Sequence, residues 1–169
     1  LNKVILALVN LPQPVVAAVQ GAAVGAGASL ALACDILIAA EDARFHLSFA
    51  RIGLSGDTGV TWLLPRKVGP ARAARLLLCG EAFTAEMGEQ WGAVSRVVPG
   101  DQLREAAICD ARKIANQTGL STRSIKKLLF DASTNSLKDQ LGLEAAEQAK
   151  AGRSDAYRHS LAQFLRRGG

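Results

Sequence analysis

The sequence predicts an α/β fold that ends in a helical region. Short apolar, β-branched segments alternate with helical patterns over residues 1–98, which is typical of strands interleaved with helices. From residue 99 onward the periodicity is helical throughout. Glycines and prolines bound most of these segments. We therefore expect two parts in the 169-residue chain, a mixed region at 1–98 and a helical region at 99–169.

In the mixed region, turn-forming residues separate short strands from short helices. The predicted strands are apolar runs at 15–19, 36–39, 43–47 and 94–98. The predicted helices cover 1–9, 29–34, 60–68, 71–79 and a segment that Thr84 caps and that extends to Trp91. Glycines are expected to end the last three of these helices, because glycine accommodates the backbone turn at a helix C-terminus.

The helical region is predicted to hold four helices. The first extends from about residue 101 to about 117, and serines cap the other three, namely Ser121, Ser136 and Ser154. The second and third are expected to end near residues 132 and 151. One face of the last helix carries Tyr157, Leu161, Phe164 and Leu165.

Composition excludes several classes of protein. Hydrophobic residues make up 49% of the chain and charged residues 21%, so disorder, collagen and coiled coil do not fit. The net charge is +5, but no basic run reaches five residues and aromatic residues make up only 5%. Nucleic-acid binding is therefore disfavoured. The surplus of Arg and Lys suits solvated helix faces or an anionic small molecule.

The cysteines and the uncharged front of the chain bear on its cellular context. The three cysteines stand at no metal-binding spacing, and their odd number does not form a disulfide framework. We therefore expect a reducing, cytoplasmic compartment and no metal site. Residues 4–34 carry no charge, but Pro12, Pro14 and three glycines interrupt the stretch. We interpret it as buried core and predict no membrane span.

A glycine-rich segment is the first candidate site. Gly21, Gly25 and Gly27 follow a predicted strand and precede a predicted helix, as the loop of a phosphate or dinucleotide site does. Their spacing is G-x-x-x-G-x-G, whereas the dinucleotide fingerprint is G-x-G-x-x-G, and Asp35 comes too early to be its acidic partner. A nucleotide site is therefore disfavoured. Backbone N–H groups at such a helix start can still bind an oxyanion.

Asp57 is the second candidate. It stands in the glycine-rich loop 53–59, immediately before a predicted helix. Its carboxylate could cap that helix, or it could act as a general base towards a group that the glycine segment polarises. Ser29, by contrast, lacks the G-x-S-x-G context of a hydrolase nucleophile. His46 and His159 have no partner at metal-binding spacing.

Four segments together resemble the crotonase family, the enoyl-CoA hydratases and isomerases. They are 14–21 (PVVAAVQG), 25–35 (GAGASLALACD), 43–45 (ARF) and 57–66 (DTGVTWLLPR). Order, spacing and identities match over residues 11–98, and the helical tail fits as well. Within the family the sequence is most similar to the branch of isomerases that act on ring-1,2-epoxyphenylacetyl-CoA.

The resemblance implies a spiral of ββα turns, of which 1–98 would be the C-terminal portion, and a helical trimerisation region at 99–169. It implies a CoA thioester as substrate with no further cofactor, and a homotrimer or a hexamer. Two backbone N–H groups hold the thioester carbonyl in this family, and one of them corresponds to that of Ala26. The second belongs to a segment upstream of Leu1. Because Leu1 is also not a start methionine, we expect the chain to be the interior of a longer protein.

Departures from the family pattern favour one chemistry. The two glutamates of the family's hydratases correspond to Ser29 and Phe49, so both carboxylates are absent and efficient hydration is disfavoured. Asp57 aligns with the aspartate of the isomerase branch. One carboxylate can move a proton between two carbons while an oxyanion hole stabilises the enolate. A related aspartate is the nucleophile of aryl-CoA dehalogenases, so covalent chemistry stays open.

We therefore predict an acyl-CoA isomerase in which Asp57 is the catalytic residue and the Ala26 N–H stabilises the enolate. Further residues are expected to bind substrate along the glycine segment or in an apolar acyl pocket. These are Val24, Gly25, Gly27, Ser29, Phe49, Ile52 and Leu54. A hydratase, hydrolase or other lyase of the family, and a non-catalytic member, remain the alternatives.

Overall fold

The computed structural model describes residues 1–167 and places six strands and nine α-helices within them, which confirms the α/β class. The strands are β1 (Val16–Val19), β2 (Ala22–Val24), β3 (Ile36–Ala40), β4 (Arg44–His46), β5 (Ala82–Thr84) and β6 (Arg96–Val98). The helices are α1 (Asn2–Asn10), α2 (Ala26–Leu32), α3 (Val60–Val68), α4 (Pro70–Leu78), α5 (Ala85–Trp91), α6 (Leu103–Ala115), α7 (Gly119–Asp131), α8 (Leu137–Gly152) and α9 (Asp155–Arg167). Short 3-10 turns lie at Ala50–Ile52 and Gly100–Gln102.

The strands form two three-stranded sheets. β1 pairs in parallel with β3, and β3 pairs in parallel with β6. In the second sheet β2 pairs in parallel with β4, while β5 runs antiparallel to β4. The first two ββα turns therefore each contribute one strand to each sheet. This stacking of successive turns is the spiral that the family resemblance implied.

The core fixes the strands that carry the candidate site. Leu37 and Ile38 of β3 are 1% and 0% exposed, as expected for a central parallel strand that is covered on both faces. Phe45 of β4 stacks on Phe83 of β5 with ring centroids 4.7 Å apart and an interplanar angle of 8°. This buried pair holds β4 in place, and β4 in turn positions the glycine segment that follows β2.

Packing of α2 against α3 brings the two candidate segments towards each other. Ala28 and Leu32 of α2 are buried, and so are Val60 and Leu64 of α3. Apolar residues four apart lie on one helix face, so each helix presents one of these pairs to the core. The glycine segment before α2 and the Asp57 loop before α3 are thereby anchored in the same region of the fold.

Two strands were not predicted from the sequence, and the starts of α2 and α7 differ from the predicted ones. β2 consists of small residues in the glycine segment and forms through pairing with β4, where Val24 is opposite His46. β5 forms in the same way on the other side of β4. α2 begins at Ala26, three residues earlier than the predicted start at Ser29. Short strands of this kind depend on a partner strand, and single-sequence patterns do not reveal it.

The predicted helix caps were right in three of four cases. Thr84, Ser136 and Ser154 each accept a hydrogen bond from the backbone N–H three residues onward. The prediction for Ser121 was wrong, because α7 begins at Gly119 and Thr118 is its N-cap residue. Ser121 therefore lies within the first turn of the helix.

Contacts divide the chain into two units, one of residues 1–11 and 15–111 and one of residues 12–14 with the chain from 112 onward. In the second unit α7 lies against α8, and the Ser124 hydroxyl donates to Glu147 Oε2 at 2.6 Å. The division falls within α6, whereas the predicted boundary at 98/99 follows β6 and stays a prediction. Residues 168–169 of the predicted helical region lie outside the described residues.

None of the helices within residues 1–167 is both long and apolar enough to cross a membrane. The uncharged stretch at the front of the chain is divided among α1, β1, β2 and α2.

Candidate active site

Gly25 makes the turn between β2 and α2. Its φ of +51° is a conformation that glycine adopts without strain and that other residues rarely adopt. Its N–H donates to the His46 carbonyl at 2.8 Å, which ties the turn to β4. Its carbonyl accepts from the backbone N–H of Ser29 at 3.0 Å and from the Ser29 hydroxyl at 3.2 Å. The N–H and the carbonyl of Gly25 are thus both held by hydrogen bonds.

Ala26 is the first residue of α2, so its N–H has no acceptor within the helix. Ala26 and Gly27 line a cavity of about 160 Å³ together with apolar residues of α1. α2 has only seven residues, so its helix dipole is small. Any stabilisation of an oxyanion here would come mainly from the N–H itself.

Asp57 stands at the start of a tight turn. The N–H of Val60 donates to the Asp57 carbonyl at 3.2 Å, and the two central residues, Thr58 and Gly59, have φ values of +53° and +77°. Positive φ at both central positions defines a type I′ turn. The Thr58 N–H donates to Asp57 Oδ1 at 2.5 Å. Asp57 is exposed, and its Oδ2 accepts no hydrogen bond from any residue in the described part of the chain.

The segment that carries Asp57 separates two cavities. Ser55 and Gly56 line a cavity of about 470 Å³, whereas Thr58 lines the 160 Å³ cavity that also contains Ala26. A methyl group at Gly56 would lie 2.8 Å from the Thr61 side chain, so a larger residue at that position would force this side chain to move. Asp57 therefore lies between Gly56, which lines the larger cavity, and Thr58, which lines the smaller one.

The larger cavity is apolar in its lining. Phe49 and Leu54, both predicted to bind substrate, contribute to it. The remaining contributors come from the 3-10 turn after β4, the Asp57 loop, α3 and α4, among them Thr61, Pro65, Ala74, Leu77 and Leu78. Sequence reasoning missed the α4 residues, because nothing in a helical pattern shows which loop its apolar face covers.

The other predicted substrate-binding residues lie in different environments. Ser29 is 0% exposed and bonded to Gly25, so it supports the turn. Val24 is 58% exposed at the end of β2, and Ile52 is 72% exposed and lines neither cavity. Contact of these residues with a substrate stays a prediction.

The Phe49 ring connects the two predicted segments. A Cβ at Gly25 would lie 3.7 Å from the ring carbons Cε1 and Cζ, so the ring lies against the glycine turn. Phe49 also lines the larger cavity. The Phe49 ring therefore contacts the glycine turn and also lines the larger cavity.

Within residues 1–167, no three side chains of His, Cys, Asp or Glu are close enough together to hold a metal ion. Neither cavity has an acidic residue among the described residues that line it. The carboxylate closest along the chain to both cavities is that of Asp57.

A model of the enoyl-CoA hydratase/isomerase family matches residues 1–169. The chain belongs to this family, the crotonase family, and the resemblance noted from the sequence is confirmed.

Two relatives illustrate the range of names within the family. The chain is 44% identical to the 1,2-epoxyphenylacetyl-CoA isomerase of Escherichia coli over 97% of its own length and 63% of that protein. It is 41% identical to a probable enoyl-CoA hydratase of Rhodobacter capsulatus over 94% of its own length and 62% of that protein. The chain thus spans somewhat less than two thirds of the length of these relatives.

Solved structures confirm the crotonase fold. An enoyl-CoA hydratase from a Polaromonas species superposes with a TM-score of 0.95 at 36% identity, covering 98% of this chain and 65% of that one. An enoyl-CoA hydratase from Bacillus anthracis also gives a TM-score of 0.95, at 32% identity.

Proposed function

We propose that the protein is an acyl-CoA isomerase that shifts a double bond, or rearranges a ring, through the enolate of a CoA thioester. The observation that carries the proposal is that Ala26 and Thr58 line one cavity. The glycine segment and the residue next to Asp57 thus share one space. The 44% identity to an isomerase supports the same reaction class.

The Ala26 N–H has the role of an oxyanion donor in this proposal. When a proton leaves the α-carbon of a thioester, negative charge develops on the carbonyl oxygen, and a fixed N–H stabilises that charge more than it stabilises the neutral ground state. The fixed turn at Gly25 supports this role, because both its N–H and its carbonyl are held by neighbouring backbone.

Asp57 has the role of the proton shuttle. Its Oδ1 is held by the Thr58 N–H, so Oδ2 is the oxygen available to take a proton. The carboxylate removes a proton from one carbon, the electron pair moves into the enolate, and the same proton returns to a different carbon. Nothing is oxidised or reduced in this sequence, so we propose that no cofactor is needed beyond the thioester substrate.

The larger cavity is the proposed site for the acyl group. Its volume of about 470 Å³ and its apolar lining suit a hydrocarbon chain or ring. Phe49 extends from this cavity to the Gly25 turn. An acyl group in this space would lie beside the loop that carries Asp57.

Hydration is the second candidate function, favoured by the 41% identity to a probable enoyl-CoA hydratase. It needs one group to activate water and another to protonate the α-carbon. The positions that hold the family's two glutamates are Ser29 and Phe49 in this chain. Ser29 is completely buried, and its hydroxyl donates to the Gly25 carbonyl, which speaks against a role in activating water.

A comparison of substrates tests the proposal. We expect conversion of a 3-enoyl-CoA to the conjugated 2-enoyl-CoA, followed by thioester absorbance, with much slower hydration of crotonyl-CoA. Asp57→Asn should lower the isomerisation rate by about 10²–10⁴-fold, the usual contribution of a positioned acid–base group. Asp42→Asn, at an exposed aspartate of the same unit, is the control and should retain the rate. Faster hydration than isomerisation would reject the isomerase.

We also propose that the helical region assembles three copies of the protein, as a homotrimer or as a hexamer of two trimers. Exposed apolar residues on α7 and α9 support this, since 72% of Leu129 and 74% of Phe164 are accessible in the single chain. Light scattering after size-exclusion chromatography should give three or six times the mass of the chain. A monomer at micromolar concentration would contradict this assembly. The expected cytoplasmic location stays a prediction.

A further inference from the structure

Phe49 is held in place through both its backbone and its side chain. Its N–H donates to the Leu47 carbonyl at 2.9 Å, and its own carbonyl accepts from the N–H groups of Ile52 and Leu54 at 3.1 and 3.0 Å. The side chain is half-buried and packs against the hydrophobic core of the first unit. A ring that packing fixes in this way presents the same surface to every ligand, so it can select among ligands by their shape.

The ring borders the Gly25 turn on one side and the larger cavity on another. Its Cε1 and Cζ atoms each lie 3.7 Å from the position of a Cβ at Gly25. Phe49 also lines the cavity of about 470 Å³, whereas Gly25 and Ala26 do not. Among the residues that the structure describes, no other one that lines this cavity comes within 4 Å of that Cβ position. Phe49 is therefore the link between the turn and the cavity.

We propose that the Phe49 side chain limits the width of the acyl group at the α-carbon, next to the thioester carbonyl, so that the preferred substrates are unbranched there. This role rests on the proposed function, in which the Ala26 N–H holds the carbonyl and the larger cavity takes the acyl group. An acyl group bound in this way passes from the turn into the cavity along the ring. A methyl branch on the α-carbon then meets the ring, and a packed protein interior yields little to one additional methyl group.

Binding of two saturated esters that differ by one methyl group tests the proposal. Propionyl-CoA is unbranched, and isobutyryl-CoA carries one additional methyl group on its α-carbon. We expect the wild-type protein to bind propionyl-CoA more tightly in calorimetric titrations, by about tenfold or more, the usual effect of one such group in a pocket of fixed shape. Phe49→Ala should abolish this preference, because it should bind isobutyryl-CoA more tightly than the wild type does.

Leu77→Ala is the matched control. Leu77 lines the same cavity from α4, and none of its atoms lies within 4 Å of a Cβ at Gly25. This variant should keep the wild-type ratio of the two affinities, since it enlarges the cavity away from the turn.

The gain in affinity for the branched ester is a readout that a merely structural role of Phe49 would not produce. A loosened fold would lose affinity for both esters. If Phe49→Ala does not fold, Phe49→Leu removes the ring with a smaller loss of packing, and it should shift the preference in the same direction.

The outcomes separate the role of Phe49 from the proposed function. Both esters are saturated, so neither is isomerised and the comparison does not depend on turnover by Asp57. Equal affinity of the wild-type protein for the two esters, or an unchanged preference in the Phe49 variants, would overturn the role of Phe49 and leave the acyl-CoA function standing. If neither ester binds, the acyl-CoA function fails, and the role of Phe49 fails with it.

Discussion

The backbone N–H of Thr58 donates to Oδ1 of Asp57 at 2.5 Å, so the turn that carries the carboxylate also holds one of its oxygens. Thr58 itself has a φ of +53° and is the first central residue of the turn. One oxygen is thereby fixed, and Oδ2 stays available. A carboxylate that takes up a single proton and then returns it is suited by this combination of a fixed orientation and one free oxygen.

Gly25 should be intolerant of a side chain because of its backbone conformation. Gly25→Ala forces alanine to a φ of +51°, which we expect to destabilise the protein by about 1–3 kcal/mol. A methyl group at Gly25 would lie 3.7 Å from the Phe49 ring, an ordinary contact, so strain and not a clash is the cause. The measurement is the free energy of unfolding in urea. Acyl-CoA turnover should fall as well, because the turn positions the Ala26 N–H.

Gly27→Ala is the matched control for Gly25→Ala. Gly27 lies within α2, its φ is not positive, and nothing lies within 4 Å of a Cβ at that position. Alanine has a higher helix propensity than glycine, so this variant should be as stable as the wild type or more stable by about 0.5–1 kcal/mol. Equal effects of the two substitutions would contradict the strain argument.

The larger cavity should determine which acyl groups are accepted. Ala74 of α4 lines it, and Ala74→Phe would occupy part of its 470 Å³. We expect KM to rise by about tenfold or more for a long-chain 3-enoyl-CoA and to change little for a four-carbon one, since a filled pocket costs binding energy only to groups that reach it. Ala71→Phe, at an exposed position of α4 outside the cavity, is the control. An equal rise in KM for both chain lengths would show that the acyl group lies elsewhere.

Because of Lys67, we expect the folding stability of the first unit to depend on pH. Burial lowers the pKa of its ammonium group below the ordinary value of 10.5, while the negative charge of Asp35 acts in the opposite direction. The unfolded chain then binds more protons than the folded one between the folded pKa and 10.5, so stability rises with pH across that window. Lys67→Met should raise the unfolding temperature at pH 7, and the gain should shrink as the pH rises through this window.

Lys3→Met is the matched control, since Lys3 is an exposed lysine on α1. Lys3→Met should change the unfolding temperature little, both at pH 7 and at a pH within the window. A gain for Lys67→Met that stays constant across the window would show that packing, and not the buried charge, limits stability at this position.

Sequence patterns predicted most of the elements that carry their own signal. α3 has the predicted bounds, because Gly69 ends it and buried apolar residues repeat along one face. β3 has a run of apolar residues long enough to indicate a buried strand. β2 and β5 were missed because each has three residues and forms only by pairing with β4. The cap at Ser121 was misassigned because α7 begins earlier, at Gly119, after an N-cap residue, Thr118, whose side chain makes no capping hydrogen bond.

The candidate site was predictable only in part. Glycine spacing and the family resemblance pointed to Gly25, Ala26 and Asp57, and the structure places the first two in one turn. The burial, the positive φ and the unpaired hydroxyl of Thr58 could not be predicted, because they are properties of the folded chain. Ile52, which was predicted to line the acyl pocket, is 72% exposed and lines neither cavity, so its contact with a substrate stays a prediction. Hydrophobicity alone does not show the direction of a side chain in a loop.

The central claim is that Asp57 moves a proton on a thioester enolate. Exchange of α-protons of bound butyryl-CoA with deuterated solvent, followed by mass spectrometry, tests it most directly, because exchange needs the base and the oxyanion donor but no complete reaction. The account predicts exchange with the wild-type protein and a loss of about 10²–10⁴-fold in Asp57→Asn, while both proteins bind the ester with similar affinity. Undiminished exchange in Asp57→Asn, or none in the wild-type protein, would contradict it.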